Sequence, residues 1–406
     1  MKARLRRALD RIGPYFADGG PLHWLGPLYE AADTALFSPG HVTRTAPHVR
    51  DGLDVKRMMG IVVIALLPVI LMALYNTGYQ AQYAIAQGAA PLDDWRTALY
   101  LRLGLEFDHR SPLLCAVHGA LYFLPVLVVT FVTGIGIEVV FAAVRGHEVN
   151  EGFFVTGVLI PLILPPAIPL WQVSIGTAFG VIFAKEIFGG TGMNFLNPAL
   201  VVRAFLFFAY PAAISGDRPW IAADFLSVDG FSGATLLAQA STLPGALERA
   251  SWLKAFVGLV PGSMGETSAL ACLIGGILIV TTGVGSWRTI VAVALGTFVM
   301  ASLLNRVGSE TNPMFAVPFH WHVVLGGWAI GTVYMATDPV TSAFTDSGKW
   351  WYGIGIGALC VLIRVANPAY PEGMMLAILF MNMLAPLIDH FVVRANIRRR
   401  LARSGA

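Results

Sequence analysis

The chain has 406 residues, 56% of them hydrophobic and 13% charged, with a net charge of +3. A soluble domain carries about 25% charged residues, so this composition excludes an ordinary water-soluble enzyme and points to an all-α protein whose solvent is lipid. The three cysteines, Cys115, Cys272 and Cys360, stand singly in apolar runs with no C-x-x-C spacing, which supports neither a zinc site nor a complete iron–sulfur ligand set within the chain.

Residues 1–57 are basic and interrupted by Pro14, Gly19-Gly20-Pro21, Gly26-Pro27 and Pro39-Gly40. They read as short interfacial helices and turns, with Trp24 and Tyr29 suited to the headgroup level. No apolar core follows the basic start, so it does not read as a secretory signal. Five apolar spans follow within 58–212, at about 58–75, 114–143, 153–169, 171–188 and 197–212, each near the length that crosses a hydrocarbon layer. A polar interruption occupies 213–266. The second half, 267–389, offers five more spans, at about 268–284, 288–304, 321–337, 350–366 and 373–389, and 390–406 is a basic tail. Ten spans place both termini on one side. Of the 27 Lys and Arg residues, 14 lie before residue 58 or after residue 393, so the positive-inside rule makes both termini cytoplasmic and puts the 213–266 loop on the periplasmic side.

Asn197-Pro198-Ala199 recurs as Asn367-Pro368-Ala369, each copy between a glycine-bearing span and an apolar one. Two units of five spans must be inverted relative to each other because five is odd. Inverted repeats with Pro- and Gly-interrupted helices are an architecture of transport proteins with a midplane site, and the expected fold is of the urea- or ammonium-transporter kind.

Within the polar loop lies Asp229-Gly230-Phe231-Ser232-Gly233-Ala234-Thr235-Leu236. Its glycines permit tight turns, and small side chains leave the Thr235 hydroxyl approachable. An ordinary Ser/Gly/Asp turn has the same composition. The pattern D-G-x-S-G-A-T is also similar to the site at which a flavin transferase attaches FMN to threonine through a phosphodiester. The Gly189–Pro198 stretch cannot be regular lipid-facing helix and needs protein or a cavity around it. Asn197 can cap a helix begun by Pro198. Thr191, Asn194 and Asn197 offer donors and acceptors to a flat polar ligand, although an interfacial loop would carry the same residues. Arg203 lies in an apolar run and is free to snorkel, pair with an acid or neutralise a phosphate.

Acids inside spans cost about 2.5–3.5 kcal/mol at a helix centre and need a reason. Glu138 lies within a span, Asp338 ends one, and Asp389 lies at the end of the last. Lys185-Glu186 reads as a membrane-edge pair. His320-Trp321-His322 reads as an interfacial aromatic belt rather than a metal pair, because side chains at i and i+2 leave a helix on different faces.

Long blocks of the chain resemble one family: the His147–Phe154 segment, Gly189–Tyr210, the threonine motif, Met335-Ala336-Thr337-Asp338-Pro339, and Asn367-Pro368-Ala369-Tyr370-Pro371-Glu372-Gly373. It is similar to the B subunits of bacterial sodium-translocating NADH:quinone oxidoreductases, with the D subunits of Rnf complexes more distant relatives. The resemblance implies a flavoprotein subunit of a six-subunit inner-membrane complex. Its partners would be the five other subunits, a flavin transferase during maturation and membrane lipids, with no nucleic acid. It implies covalent FMN on Thr235, with Asp229, Gly230, Ser232, Gly233 and Ala234 as the transferase motif. It also implies noncovalent riboflavin near Asn194 and Asn197, and ubiquinone near Gly134, Glu138, Phe153 and Phe154. Glu138, Asp338 and Asp389 match acids of a sodium pathway. Ile135 departs from the paired glycines expected before Glu138 and would narrow that pocket. The competing expectation is a urea- or ammonium-type channel or carrier in which Thr235 is inert.

Overall fold

Among the described residues, the regular structure is helical apart from one two-residue ladder. The computed structural model describes residues 2–16, 20–22, 26, 29, 55–146, 152–225, 228, 232–367 and 372–404. The principal helices are α1 (Lys2–Phe16), α2 (Val55–Ala86), α3 (Trp95–Arg102), α4 (Pro112–Arg145), α5 (Phe153–Leu162), α6 (Leu170–Ala184) and α7 (Pro198–Ala209). They continue with α8 (Leu236–Thr242), α9 (Ala269–Thr281), α10 (Trp287–Val307), α11 (Asp346–Ala366) and α12 (Met374–Ser404). Among the described residues, five helices are long and apolar enough to cross a membrane: α2, α4, α10, α11 and α12. With the shorter apolar helices α5, α7 and α9, they make this a multi-pass membrane protein. Most of the expected N-terminal interfacial segment lies outside the described residues, as does Trp24.

Each expected span carries helix, but three boundaries differ for physical reasons. Helix α2 runs past residue 75 to Ala86 because its polar residues are satisfied internally. Asn76 Nδ2 donates to the Val260 carbonyl at 2.9 Å, Gln80 to Asn76 at 3.1 Å, and Gln82 to Tyr100 Oη at 3.1 Å. Helix α5 stops at Leu162, short of 169, before Pro165-Pro166. The carbonyls freed there accept from the other half of the chain: Leu162 from Gly265 N at 2.6 Å and Leu164 from Met264 N at 3.1 Å.

The expected span 321–337 is broken into Phe319–His322, Trp328–Ile330 and a π-helical turn, Gly331–Met335. Arg364, fully buried on α11, fills that break. It donates to the His322 carbonyl at 2.8 Å and the Leu325 carbonyl at 2.7 Å. Irregular backbone at membrane depth survives where protein satisfies it in this way. The same contacts correct the expected aromatic belt, since Trp321 and His322 are buried. No cluster of metal-ligating side chains occurs among the described residues, and the three cysteines are free and buried.

Helix α2 packs on α4 and α9, α4 on α6, α6 on α7, α10 on α11, α11 on α12, and α7 on α12. Close crossings depend on missing side chains. A Cβ on Gly119 would lie 1.9 Å from the Leu74 carbonyl, and one on Gly357 would lie 2.1 Å from the Val293 carbonyl. Small residues at such crossings let helix backbones approach in lipid, where no hydrophobic force drives association. The antiparallel ladder, Ala90↔Asp224 and Pro91↔Ala223, ties the segment after α2 to the loop that carries Thr235.

Candidate functional site

Two cavities gather several of the residues singled out by sequence. The larger is a cleft of about 730 Å³ whose lining includes Thr191, Asn194, Asn197, Lys185, Tyr334 and Asp338. Its floor exists because the chain turns sharply before α7, with Gly189, Gly190 and Gly192 at φ of 119°, 94° and 89°. Asn197 then caps α7, its side-chain oxygen accepting from Ala199 N at 3.1 Å and Leu200 N at 3.3 Å. Its role is therefore partly structural. The Thr191 hydroxyl is buried in this cleft with no partner among the described residues, which suits a polar ligand that supplies one. Val62, Leu159 and Ile279 give the cleft an apolar wall, so its lining fits a flat heteroaromatic group.

Asp338 joins this cleft. Its carboxylate accepts from Val340 N at 3.2 Å and from the Thr341 hydroxyl at 2.9 Å.

The second cavity, about 400 Å³, brings Thr235 together with Ser263, Glu266, Leu325, Gly326 and Glu372. Thr235 is the N-cap of α8, and its Oγ1 accepts from Ala238 N at 3.2 Å. Among the described residues its hydroxyl donates to nothing, so replacing its hydrogen by phosphorus removes no donated hydrogen bond. Ala234 is buried and its carbonyl accepts from Gln239 at 2.8 Å, while Ser232 is exposed and its Oγ accepts from Ala234 N at 3.2 Å. Gly233 is buried against the Asp217 carbonyl. Asp229 and Gly230 lie outside the described residues.

Arg203 pairs with an acid, one of the three roles its sequence position allows. Its guanidinium holds Glu266 through Nη1 and Glu372 through Nη2. Burial and the neighbouring Glu372 push the Glu266 carboxyl up to about 7, against the lowering pull of Arg203. Asn197, at the cleft, and Arg203, beneath the Thr235 cavity, are six residues apart on α7, a rise of roughly 9 Å. Sequence reasoning missed Glu266 and Glu372, whose partner lies 63 and 169 positions away.

Gly134, Glu138 and Phe153 form one packed group. A Cβ on Gly134 would lie 1.9 Å from the Phe153 ring. Phe131 packs against both Phe153 and Phe154, with ring centroids 5.8 and 6.0 Å apart. Phe153 is buried, Phe154 is 46% exposed, and Ile135 is half-buried. Glu138 is ion-paired with Lys185. That contact corrects the membrane-edge reading of Lys185-Glu186: both are buried, and Glu186 pairs with Arg145 at 3.5 Å. Asp389 stands apart from both cavities, its carboxylate holding the backbone of Phe344 and Thr345.

A multi-pass helical membrane protein with a cleft of mixed polar and apolar lining among broken helices, and a second cavity beneath a half-buried threonine, is the class this geometry defines. The model of the NQR2, RnfD, RnfE family matches residues 42–398, and the chain belongs to that family. It is 55% identical to the B subunit of the Na(+)-translocating NADH-quinone reductase of Pseudomonas paraeruginosa, over 99% of this chain and 100% of the relative. The protein of the same name from Azotobacter vinelandii is 55% identical over 98% of this chain and 99% of the relative. That of Neisseria meningitidis serogroup A is 53% identical over the same shares.

Proposed function

We propose that this chain is the membrane flavoprotein subunit of a sodium-translocating NADH:quinone reductase. It relays electrons from covalent FMN through riboflavin to ubiquinone, coupled to sodium export. The observation that carries this reading is the 55% identity, over essentially the whole chain, to relatives named as the B subunit of that reductase. The flavins supply redox chemistry; the chain's residues hold them. Thr235 is the attachment residue, with Asp229, Gly230, Ser232, Gly233 and Ala234 the transferase motif. Asn194 and Asn197 hold riboflavin in the larger cleft, supported by the unpartnered Thr191 hydroxyl beside them. Gly134, Glu138, Phe153 and Phe154 border the quinone, and Glu138, Asp338 and Asp389 serve the cation.

In this reading the chain works with five other subunits in the inner membrane, both termini cytoplasmic, after a flavin transferase has modified it. Its ten spans form two inverted units, 58–212 and 267–389, flanking the 213–266 loop, with the 1–57 segment and the 390–406 tail cytoplasmic. Matching packing in the two halves supports this: α4 on α6 and α10 on α11, then α6 on α7 and α11 on α12.

Flavin fluorescence of the denatured chain, purified from its native host and run on a gel, tests the assignment. Thr235→Val abolishes the band in this reading. Fluorescence that persists in the variant moves the attachment elsewhere, and a dark wild-type chain overturns covalent flavin altogether.

A further inference from the structure

Lys185 belongs to two places at once. Its ammonium group is paired with the Glu138 carboxylate of α4, and the two side chains are 4% and 5% exposed. The same lysine lines the cleft with Thr191, Asn194, Asn197 and Asp338. It reaches both because α6 ends at Ala184 and Lys185 leaves helical geometry, with φ −126° and ψ −63°. An ammonium group has three N–H donors. Among the described residues Glu138 is the hydrogen-bond acceptor found for them, and the Phe153 ring lies 5.9 Å from the ammonium nitrogen; the remaining side of the head group borders the cleft.

The other acids nearby have partners of their own, a cation in one case and neutral donors in the other. Glu186 pairs with Arg145, and Asp338 accepts from Val340 N and Thr341. Lys185 and Glu138 are thus a neutral pair buried at the cleft edge. In a low-dielectric setting one positive charge cannot fully neutralise two negative ones. Negative charge held in the cleft draws on Lys185 at the expense of Glu138. A carboxylate released in this way is a hard oxygen ligand, suited to a hard cation such as sodium.

We propose that Lys185 is a positioning residue that shares its charge between the cleft and Glu138, so that negative charge in the cleft frees the Glu138 carboxylate for a sodium ion. This rests on the reading of the cleft as a flavin site. It makes Glu138 and the cleft electrostatically one unit, although they lie on different helices.

The test is a redox titration of the noncovalent flavin in the intact purified complex, with and without sodium, alongside its extracted flavin content. Lys185→Met leaves Glu138 unneutralised and lowers the flavin midpoint potential. The expected change is at least tenfold in the oxidised-to-reduced ratio, about 59 mV for one electron. Glu138→Gln leaves Lys185 wholly to the cleft and raises the potential, and it abolishes the sodium dependence expected of the wild type. The double variant returns towards wild type, and Lys185→Arg, which keeps the charge, stays near it. If Lys185→Met loses its flavin, Glu138→Gln and Lys185→Arg carry the comparison, since both keep a cation. Full flavin content with unshifted potentials, or shifts of the same sign in Lys185→Met and Glu138→Gln, overturns the charge sharing while leaving the flavin site intact. A wild-type complex without noncovalent flavin overturns the flavin site and the charge sharing together.

Discussion

Tyr334 donates a hydrogen bond to the Ala65 carbonyl at 2.7 Å, across 269 positions of sequence. The contact joins the π-turn of the second half to the first long helix, and Tyr334 also lines the larger cleft. Gly275 on α9 makes room for it: a Cβ there would lie 1.8 Å from Tyr334 Oη and 2.2 Å from the Ala65 carbonyl. Tyr334→Phe removes this second donor from a carbonyl inside α2 and costs about 0.5–1.5 kcal/mol. Gly275→Ala costs more, because the backbone oxygen cannot move aside. The double variant Gly275→Ala/Tyr334→Phe stays destabilised for the same reason. Thermal unfolding of the detergent-solubilised protein measures all three, and a Gly275→Ala variant as stable as wild type contradicts this packing.

The Thr235 loop makes a parallel demand at Gly233. A Cβ there would lie 2.4 Å from both the Asp217 carbonyl and the Phe225 ring. Gly233→Val must therefore displace the backbone that presents Thr235, with the threonine itself unchanged. Covalent flavin per chain, read as gel fluorescence against protein stain, is expected to fall severalfold. Full loading in Gly233→Val shows that the turn does not present the hydroxyl.

The helices were legible in the sequence because apolar length is a local property, and caps such as Asn197 and turns such as Gly189–Gly192 follow from adjacent residues. The partners of the buried charges were not. Lys185 and Glu186 stand together and resemble an edge pair, yet each is neutralised from α4, 47 and 41 positions away. The break within 321–337 was equally hidden. Hydropathy there is continuous, and the signal for a break is a polar one: Arg364, in an apolar run of α11, is the cation that satisfies the freed carbonyls. A buried arginine in an apolar span is thus a pointer to irregular backbone nearby.

Glu266 carries a pH dependence with a definite sign. Burial, reinforced by Glu372 and opposed by Arg203, pushes its carboxyl up to about 7, above its ordinary value of about 4.3 in an unfolded chain. Between those values the folded state binds more protons than the unfolded one, so this group's contribution to stability declines as pH rises from about 4.3 to 7 and levels off above. Unfolding temperature measured across pH 4–8 is expected to show that decline, and Glu266→Gln to flatten it. Infrared difference spectra of the same pair should lose a protonated-carboxyl band in the variant. A band that disappears from the wild type well below pH 6 contradicts the raised value.

Asp389 was expected among acids of a cation pathway, and its contacts give it a mechanical task that can be separated from that role. One carboxylate oxygen accepts from Phe344 N at 2.7 Å, and the other from Thr345 N at 3.0 Å and the Thr345 hydroxyl at 2.5 Å. Thr345 in turn caps α11 through Gly348 N at 3.0 Å. The last long helix thereby clasps the start of the one before it. Asp389→Asn places an amide N–H₂ against one of these N–H donors, a loss of about 1–3 kcal/mol, and it loosens the α11 start whether or not sodium is present. Thr345→Ala removes the cap and one of the carboxylate contacts, and costs about 1 kcal/mol. If the clasp is the main task, both variants lower the unfolding temperature in sodium and in sodium-free buffer alike. If Asp389→Asn keeps wild-type stability and changes only the sodium concentration needed for turnover, the carboxylate acts on the cation and the clasp is incidental.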